Sequence, residues 1–269
     1  MARRQKTIHL LLAFGFVLSC ASIRAQQPAK PLLCLHAHND YEHKRPLFDA
    51  LDRGFCSVEA DIFLVEGQLL VGHTRSQLKP ERTLEKLYLD PLREQVRKNG
   101  GRVYAGGPEV TLLIDIKTEG KTTYAVLRET LKNYAQILST FRGDAKQTNA
   151  ILALITGNRS KDMFAGETIR YAALDGELED LASSAPASLI PWISSNWTRN
   201  FQWRGSGAIQ EPEKRRLQEI VEKAHRQGRR VRFWGAPDFP DFWRELLADG
   251  VDLINTDHLE TAQKMVLQQ

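Results

Sequence analysis

Residues 111–138, TLLIDIKTEGKTTYAVLRETLKNYAQIL, change their pattern once along their length. An apolar run carries Asp115 and Lys117 two positions apart, breaks at Glu119-Gly120, and gives way to a helix-like pattern. This is one strand followed by one helix, and the alternation recurs along the chain. Strand-like runs fall at residues 31–38, 55–64, 111–117, 150–156, 169–174, 189–194, 231–235 and 251–255. Helical patterns at 45–53, 83–98, 122–138, 211–227 and 239–248 separate them, several ending at or near Gly54, Gly100, Gly228 or Gly250. Eight short strands mostly separated by helices predict an α/β chain folded as a (β/α)8 TIM barrel, a single domain over residues 30–269. A doubly wound open sheet is the alternative, and the lack of a Gly-rich phosphate loop after the first strand counts against it. VEGQLLVGH, with its turn at Glu66-Gly67-Gln68, is expected to be a hairpin on the second strand.

Arg3, Arg4 and Lys6 precede an apolar run at 8–17 and then Ala25-Gln26-Gln27, the layout of a signal peptide over residues 1–25. The run is too short to span a bilayer, so no transmembrane segment is expected. Export to the periplasm or medium after cleavage follows, with lipidation of Cys20 in Val17-Leu18-Ser19-Cys20 as the alternative. Cleavage removes Arg3, Arg4, Lys6 and Arg24, so basic residues fall from 37 to 33 against 33 acidic ones. No cationic surplus remains for nucleic acid. Of three cysteines, Cys34 and Cys56 stay in the mature chain, each in an expected strand. They make no disulfide framework, and either one bridge or two buried thiols suits them.

Barrel enzymes place their chemistry at the C-terminal ends of strands. Strand one ends in His36-Ala37-His38-Asn39-Asp40, strand two carries Glu59 and Asp61, its hairpin returns to His73, and strand three holds Asp115 and Lys117. Residues two apart on a strand face the same way, so these pairs can share the barrel axis. Carboxylates converging in a low-dielectric cavity repel unless a positive charge lies between them, and a hard cation, Mg²⁺ or Ca²⁺, supplies it. His38 and His73 suit proton transfer near neutrality, and Lys117 suits an anionic phosphate. Asn39 beside His38 and Trp234 at the end of strand seven are expected to touch substrate. His36 faces the same side as His38 and is read as ligand, supporting group or base; His43 is read as a solvent-exposed loop residue.

This set of residues resembles the glycerophosphodiester phosphodiesterase family and the wider phosphatidylinositol-specific phospholipase C-like barrels, including the venom sphingomyelinase branch. The slots of that family are filled by His38, Glu59 with Asp61, His73, and Asp115 with Lys117. His38-Asn39-Asp40 stands where glycerophosphodiesterases have His-Arg-Gly, and His73 is followed by Thr74 instead of Asp. HAHNDY with SVEADI is similar to a side branch, the altered-inheritance-of-mitochondria protein 6 group. The resemblance implies one divalent ion on Glu59, Asp61 and Asp115, and His38 with His73 as the acid–base pair in cleavage of a small-molecule or lipid phosphodiester. Attack by water or by a hydroxyl of the substrate remains open. Two other readings are an amidohydrolase, which would bind Zn²⁺ through His36 and His38 but needs later histidines, and an inactive phosphoester-binding barrel.

Overall fold

The computed structural model describes residues 29–159 and 161–268, so the expected leader and Cys20 lie outside the described residues. The chain begins with β1 (Leu32–Ala37), the single turn α1 (Phe48–Leu51), and the hairpin of β2 (Phe55–Val65) with β3 (Gln68–Val71). Next come α2 (Asp90–Lys98), β4 (Val110–Ile116), α3 (Gly120–Lys132), the small hairpin β5 (Thr140–Arg142) with β6 (Ala145–Gln147), and β7 (Ile151–Gly157). The rest is β8 (Ala173–Gly176), β9 (Trp192–Asn196), α4 (Trp197–Asn200), α5 (Glu211–Arg226), β10 (Arg230–Trp234), α6 (Pro240–Ala248), β11 (Ile254–Thr256) and α7 (Leu259–Leu267).

The order β10-β9-β8-β7-β4-β2-β1-β11 makes a parallel barrel of eight strands, with β3 antiparallel on β2 as the sequence predicts. The last seam is thin: β10 meets the residues just before β11 through a bridge between Arg232 and Leu253 and the 3.2 Å hydrogen bond from Asp252 N–H to the Val231 carbonyl. Strands covered on both faces read as continuous apolar runs, and β7, ILALITG, is buried along all but its last residue. Local chemistry starts the helices. Glu119 accepts from the Lys121 and Thr122 amides ahead of α3, and Pro212 and Pro240 occupy the first turns of α5 and α6, where a missing N–H costs nothing.

Differences from the expected elements have local causes. β8 starts four residues later than expected because Arg170 pairs with Phe141 of the β5–β6 hairpin, an element the sequence does not announce. No α-helix follows β7 or β8 among the described residues; short 3₁₀ turns at Lys161–Phe164 and Leu178–Ala182 take their place. The helix expected over 45–53 shrinks to α1, since Leu47 holds a φ of 67° that no helix accommodates. α7 is additional. Cys34 and Cys56 are free thiols.

Two sets of side chains divide the strands. Leu113, Leu152, Leu154, Ala173, Trp192 and Leu253 join Phe141 in a hydrophobic cluster separate from the larger core. Alternation places Asp115, Thr156, Asp175, Ser194 and Asn255 two residues further along the same inward faces. The interior is therefore apolar below and polar above. A slip of one residue would exchange Leu113 and Asp115 for Leu112 and Ile114, forfeiting about 2 kcal/mol for each large apolar side chain displaced from its packing.

Candidate active site

β2 and β4 run in register with Asp61 opposite Asp115, and Glu59 lies two residues before Asp61 on the same face. One oxygen from each of Glu59, Asp61 and Asp115 lies within 4.8 Å of the other two, so the expected convergence is present. Each carboxylate also has one oxygen engaged by neighbouring side chains. Glu59 Oε2 is 3.0 Å from His36 Nε2 and 3.2 Å from Arg232 Nη1. Asp61 Oδ2 meets the Tyr41 hydroxyl at 2.7 Å, Lys117 Nζ at 3.0 Å and His73 Nδ1 at 3.1 Å. Asp115 Oδ2 takes Lys117 Nζ at 2.7 Å. Asp61 Oδ1, by contrast, is buried and accepts no hydrogen bond among the described residues. A buried carboxylate oxygen without a donor costs free energy unless a ligand completes it. Three carboxylates that each bring an oxygen to one spot form an all-oxygen donor set, which fits a hard cation of the Mg²⁺ or Ca²⁺ kind.

The electrostatic expectation needs one amendment. Protein cations relieve part of the crowding, Arg232 at Glu59 and Lys117 between Asp61 and Asp115. What remains is visible in the carboxyl groups. Burial, then the charges of Glu59 and Asp115, push Asp61 up to about 6 despite Lys117. Burial also raises Asp115, although Lys117 opposes it. Glu59 goes the other way: burial would raise it, but the His36 hydrogen bond and the Arg232 charge hold it well below the usual carboxylate range.

The histidines separate into distinct environments. His36 is fully buried, with Nδ1 2.6 Å from Ser57 Oγ and Nε2 at Glu59, and burial followed by Arg232 lowers it to about 4. Both ring nitrogens are engaged, so the amidohydrolase reading has no ligand here. His38 Nδ1 lies 2.9 Å from Asp257 Oδ1 just after β11. Burial disfavours a charged His38, yet the Asp257 hydrogen bond and Glu59 outweigh it and raise its pKa. His73 turns Nδ1 to Asp61 and leaves half of its side chain exposed. His43 is half-buried instead of fully exposed, and burial lowers its pKa.

His38, Asn39, Glu59, His73, Asp115, Lys117 and Trp234 all line one cavity of about 530 Å³ at the C-terminal ends of the strands, with Asp61 buried beneath. Asn39, at a φ of 45°, is tied to Tyr41 by a 2.7 Å hydrogen bond. Lys117 stands beside the cavity as expected but is ion-paired with two carboxylates. Arg232 and Ser194 of this cavity escape sequence reasoning, while Asp175 and Asp257 stand just after expected strands, Asp175 on the cavity wall and Asp257 as the partner of His38. Arg232 is two positions before Trp234, so the same-face rule applied to β10 finds it; Asp175 falls within β8 instead of just after the expected strand.

Parallel strands, an acidic trio with its lysine and two histidines at one end define a barrel of the glycerophosphodiesterase type. Residues 230–260 match the glycerophosphoryl diester phosphodiesterase family. The fold also resembles a crystal structure of a glycerophosphodiester phosphodiesterase from Parabacteroides distasonis, with a TM-score of 0.53, 13% identity, and coverage of 89% of this chain and 99% of that one. At that identity the likeness is one of fold. Residues 25–175 match the AIM6-like phosphodiesterase domain. Altered inheritance of mitochondria protein 6 of Eremothecium gossypii is 33% identical over 274 residues, spanning 86% of this chain and 68% of its own length. The protein of the same name from Saccharomyces cerevisiae (strain ATCC 204508 / S288c) is 28% identical over 278 residues, 86% of this chain and 70% of its own. The chain belongs to the AIM6-like phosphodiesterase family, the side branch to which its histidine and carboxylate motifs point.

Proposed function

We propose that the chain is a metal-dependent phosphodiesterase that cleaves a glycerophosphodiester by acid–base catalysis between His38 and His73. The observation that carries this reading is Asp61 Oδ1, a buried acceptor without a donor, set among Glu59, Asp115 and Lys117 on the floor of the histidine-lined cavity. Glu59, Asp61 and Asp115 would hold the cation. When bound, that ion supplies Lewis-acid polarisation of a phosphoryl oxygen.

The chain's own groups do the rest. Lys117 spends donors on Asp115 and Asp61 and has a further N–H for a phosphate oxygen. Asp257 accepts from His38 Nδ1, so Nε2 is the atom through which His38 passes a proton, and the raised pKa favours the protonated ring that donates to a leaving oxygen. His73, with Nδ1 on Asp61, has Nε2 to take a proton from the attacking hydroxyl or water. Leu178 and Trp234 are the large apolar residues of a lining otherwise made of polar and charged side chains and glycine, which favours a hydroxyl-rich, water-soluble phosphodiester over one that buries acyl chains here.

Phosphorus NMR on glycerophosphodiesters, lysophospholipids and sphingomyelin tests this, with and without chelator, for wild type, His38→Ala and His73→Ala. Chelator-sensitive turnover of the glycerophosphodiesters, lost in both variants, is expected, and the product shift distinguishes an open from a cyclic phosphate. Turnover indifferent to chelator and to both substitutions removes the assignment.

A further inference from the structure

Arg232 on β10 lies beneath the cavity with its side chain almost fully buried. A guanidinium has five N–H groups, and the surroundings account for most of them. Nε is 3.1 Å from Ser194 Oγ, Nη1 is 2.9 Å from Asn255 Oδ1 and 3.2 Å from Glu59 Oε2, and Nη2 is 3.3 Å from Asp175 Oδ2. Ser194 in turn donates to Asp175 Oδ1 at 2.6 Å. One side chain thus ties β10 to β2, β8, β9 and β11, including the two strands that meet at the thin seam of the barrel.

His36 completes the arrangement, and proton counting fixes its form. Its Nε2 is 3.0 Å from both Glu59 Oε2 and Arg232 Nη1. Both protons of Nη1 go to Glu59 and Asn255, which leaves none for His36. A bare Nε2 lone pair would face the carboxylate oxygen and repel it, so Nε2 carries the proton and gives it to Glu59. Ser57 then donates to Nδ1. That single assignment gives each nitrogen and oxygen named here at least one partner.

We propose that Arg232 and His36 form an internal clamp that holds Glu59 by Oε2 and presents only Oε1 to a divalent cation, making both of them positioning residues for the metal site. The inference rests on the metal-dependent reading above. It also assigns the first histidine of His36-Ala37-His38 to holding a ligand in place instead of binding the ion.

The sign of one measurement separates a clamp from a mere countercharge. Removing a positive charge beside Glu59 strengthens attraction for a cation by Coulomb's law alone, whereas releasing a held ligand weakens binding. Mn²⁺ serves as the probe, its free form counted by electron paramagnetic resonance during titration of the full chain. Arg232→Gln is expected to bind Mn²⁺ about 10–100-fold more weakly than wild type, and Ser57→Ala to move in the same direction with no charge altered. Ser57→Thr, which keeps the hydroxyl, is expected to restore wild-type affinity. Should Arg232→Gln fail to fold by circular dichroism, the two Ser57 variants decide alone. Wild-type uptake of Mn²⁺ matched or exceeded by folded Arg232→Gln, or unchanged in Ser57→Ala, overturns the clamp. A wild-type chain that takes up no Mn²⁺ overturns the metal site itself, a result the wild-type titration reveals separately.

Discussion

Asp257 does for His38 what its own charge allows: it fixes Nδ1 and favours the protonated ring. Asp257→Asn keeps an acceptor of the same shape and removes the charge, so the pKa of His38 falls. The expected outcome is a loss of turnover of about tenfold to a hundredfold and an alkaline limb of the pH–rate profile displaced to lower pH. A profile of unchanged shape would detach Asp257 from the chemistry. Asp40 is a second residue with a readable titration. Its Oδ2 accepts from the Leu47 amide and the Tyr88 hydroxyl, and burial pushes the carboxyl up to about 7. A folded-state pKa above that of the unfolded chain means that the native protein holds a proton which the unfolded one releases. Stability from this group is therefore present in full at acid pH, below the unfolded carboxyl, and lost as pH rises through about 7. Asp40→Asn mimics the protonated form, so denaturant melts should lose this slope and gain up to a few kcal/mol over wild type above neutrality.

At the scale of elements, strand ends set ligand positions through backbone contacts as well as side chains. Gly157 closes β7 at a φ of 74°, and a Cβ there would stand 2.0 Å from Asp115 Oδ1 and 2.6 Å from the Ile116 carbonyl. The strand end is thus a cradle for a candidate ligand, and only a residue without a side chain leaves the space. Gly157→Ala should cost about 1–3 kcal/mol and abolish tight Mn²⁺ uptake. Gly166→Ala is the control, since Gly166 has a similar φ of 79° but a Cβ there meets nothing within 4 Å. It should show the backbone cost and bind Mn²⁺ normally. Equal binding by both variants would mean that the cradle has no part in the site. The register of β2 against β4 acts in the same way, because it alone puts Asp61 opposite Asp115.

For the whole molecule, ligands that bind only the folded state stabilise it by mass action. With the cation at a hundred times its dissociation constant the gain is about 2.7 kcal/mol, roughly 5–10 °C in melting temperature for a chain of this size. Mg²⁺ or Ca²⁺ should raise the melting temperature of wild type by that order and leave Asp61→Asn unmoved; a shift equal in both would place the ion elsewhere. The polar floor under the site is also part of the global fold, since Arg232 spans strands that lie far apart in sequence. Much of this was legible beforehand. Apolar runs punctuated by glycine specify eight strands, because burial on both faces demands continuous hydrophobicity, and the two-residue period aligns Glu59 with Asp61 and Asp115 with Lys117. Local spacing also singles out His38 and His73, which the fold brings to one cavity. The partners of those groups are decided only in three dimensions. Arg232 and Glu59 are remote in the chain, Asp257 reaches His38 because β11 closes on β1, and a hairpin contact at Arg170 determines where β8 begins. Periodicity along a chain reports which way a side chain faces, whereas pairing across the barrel depends on the register of several strands at once, and no local pattern encodes that.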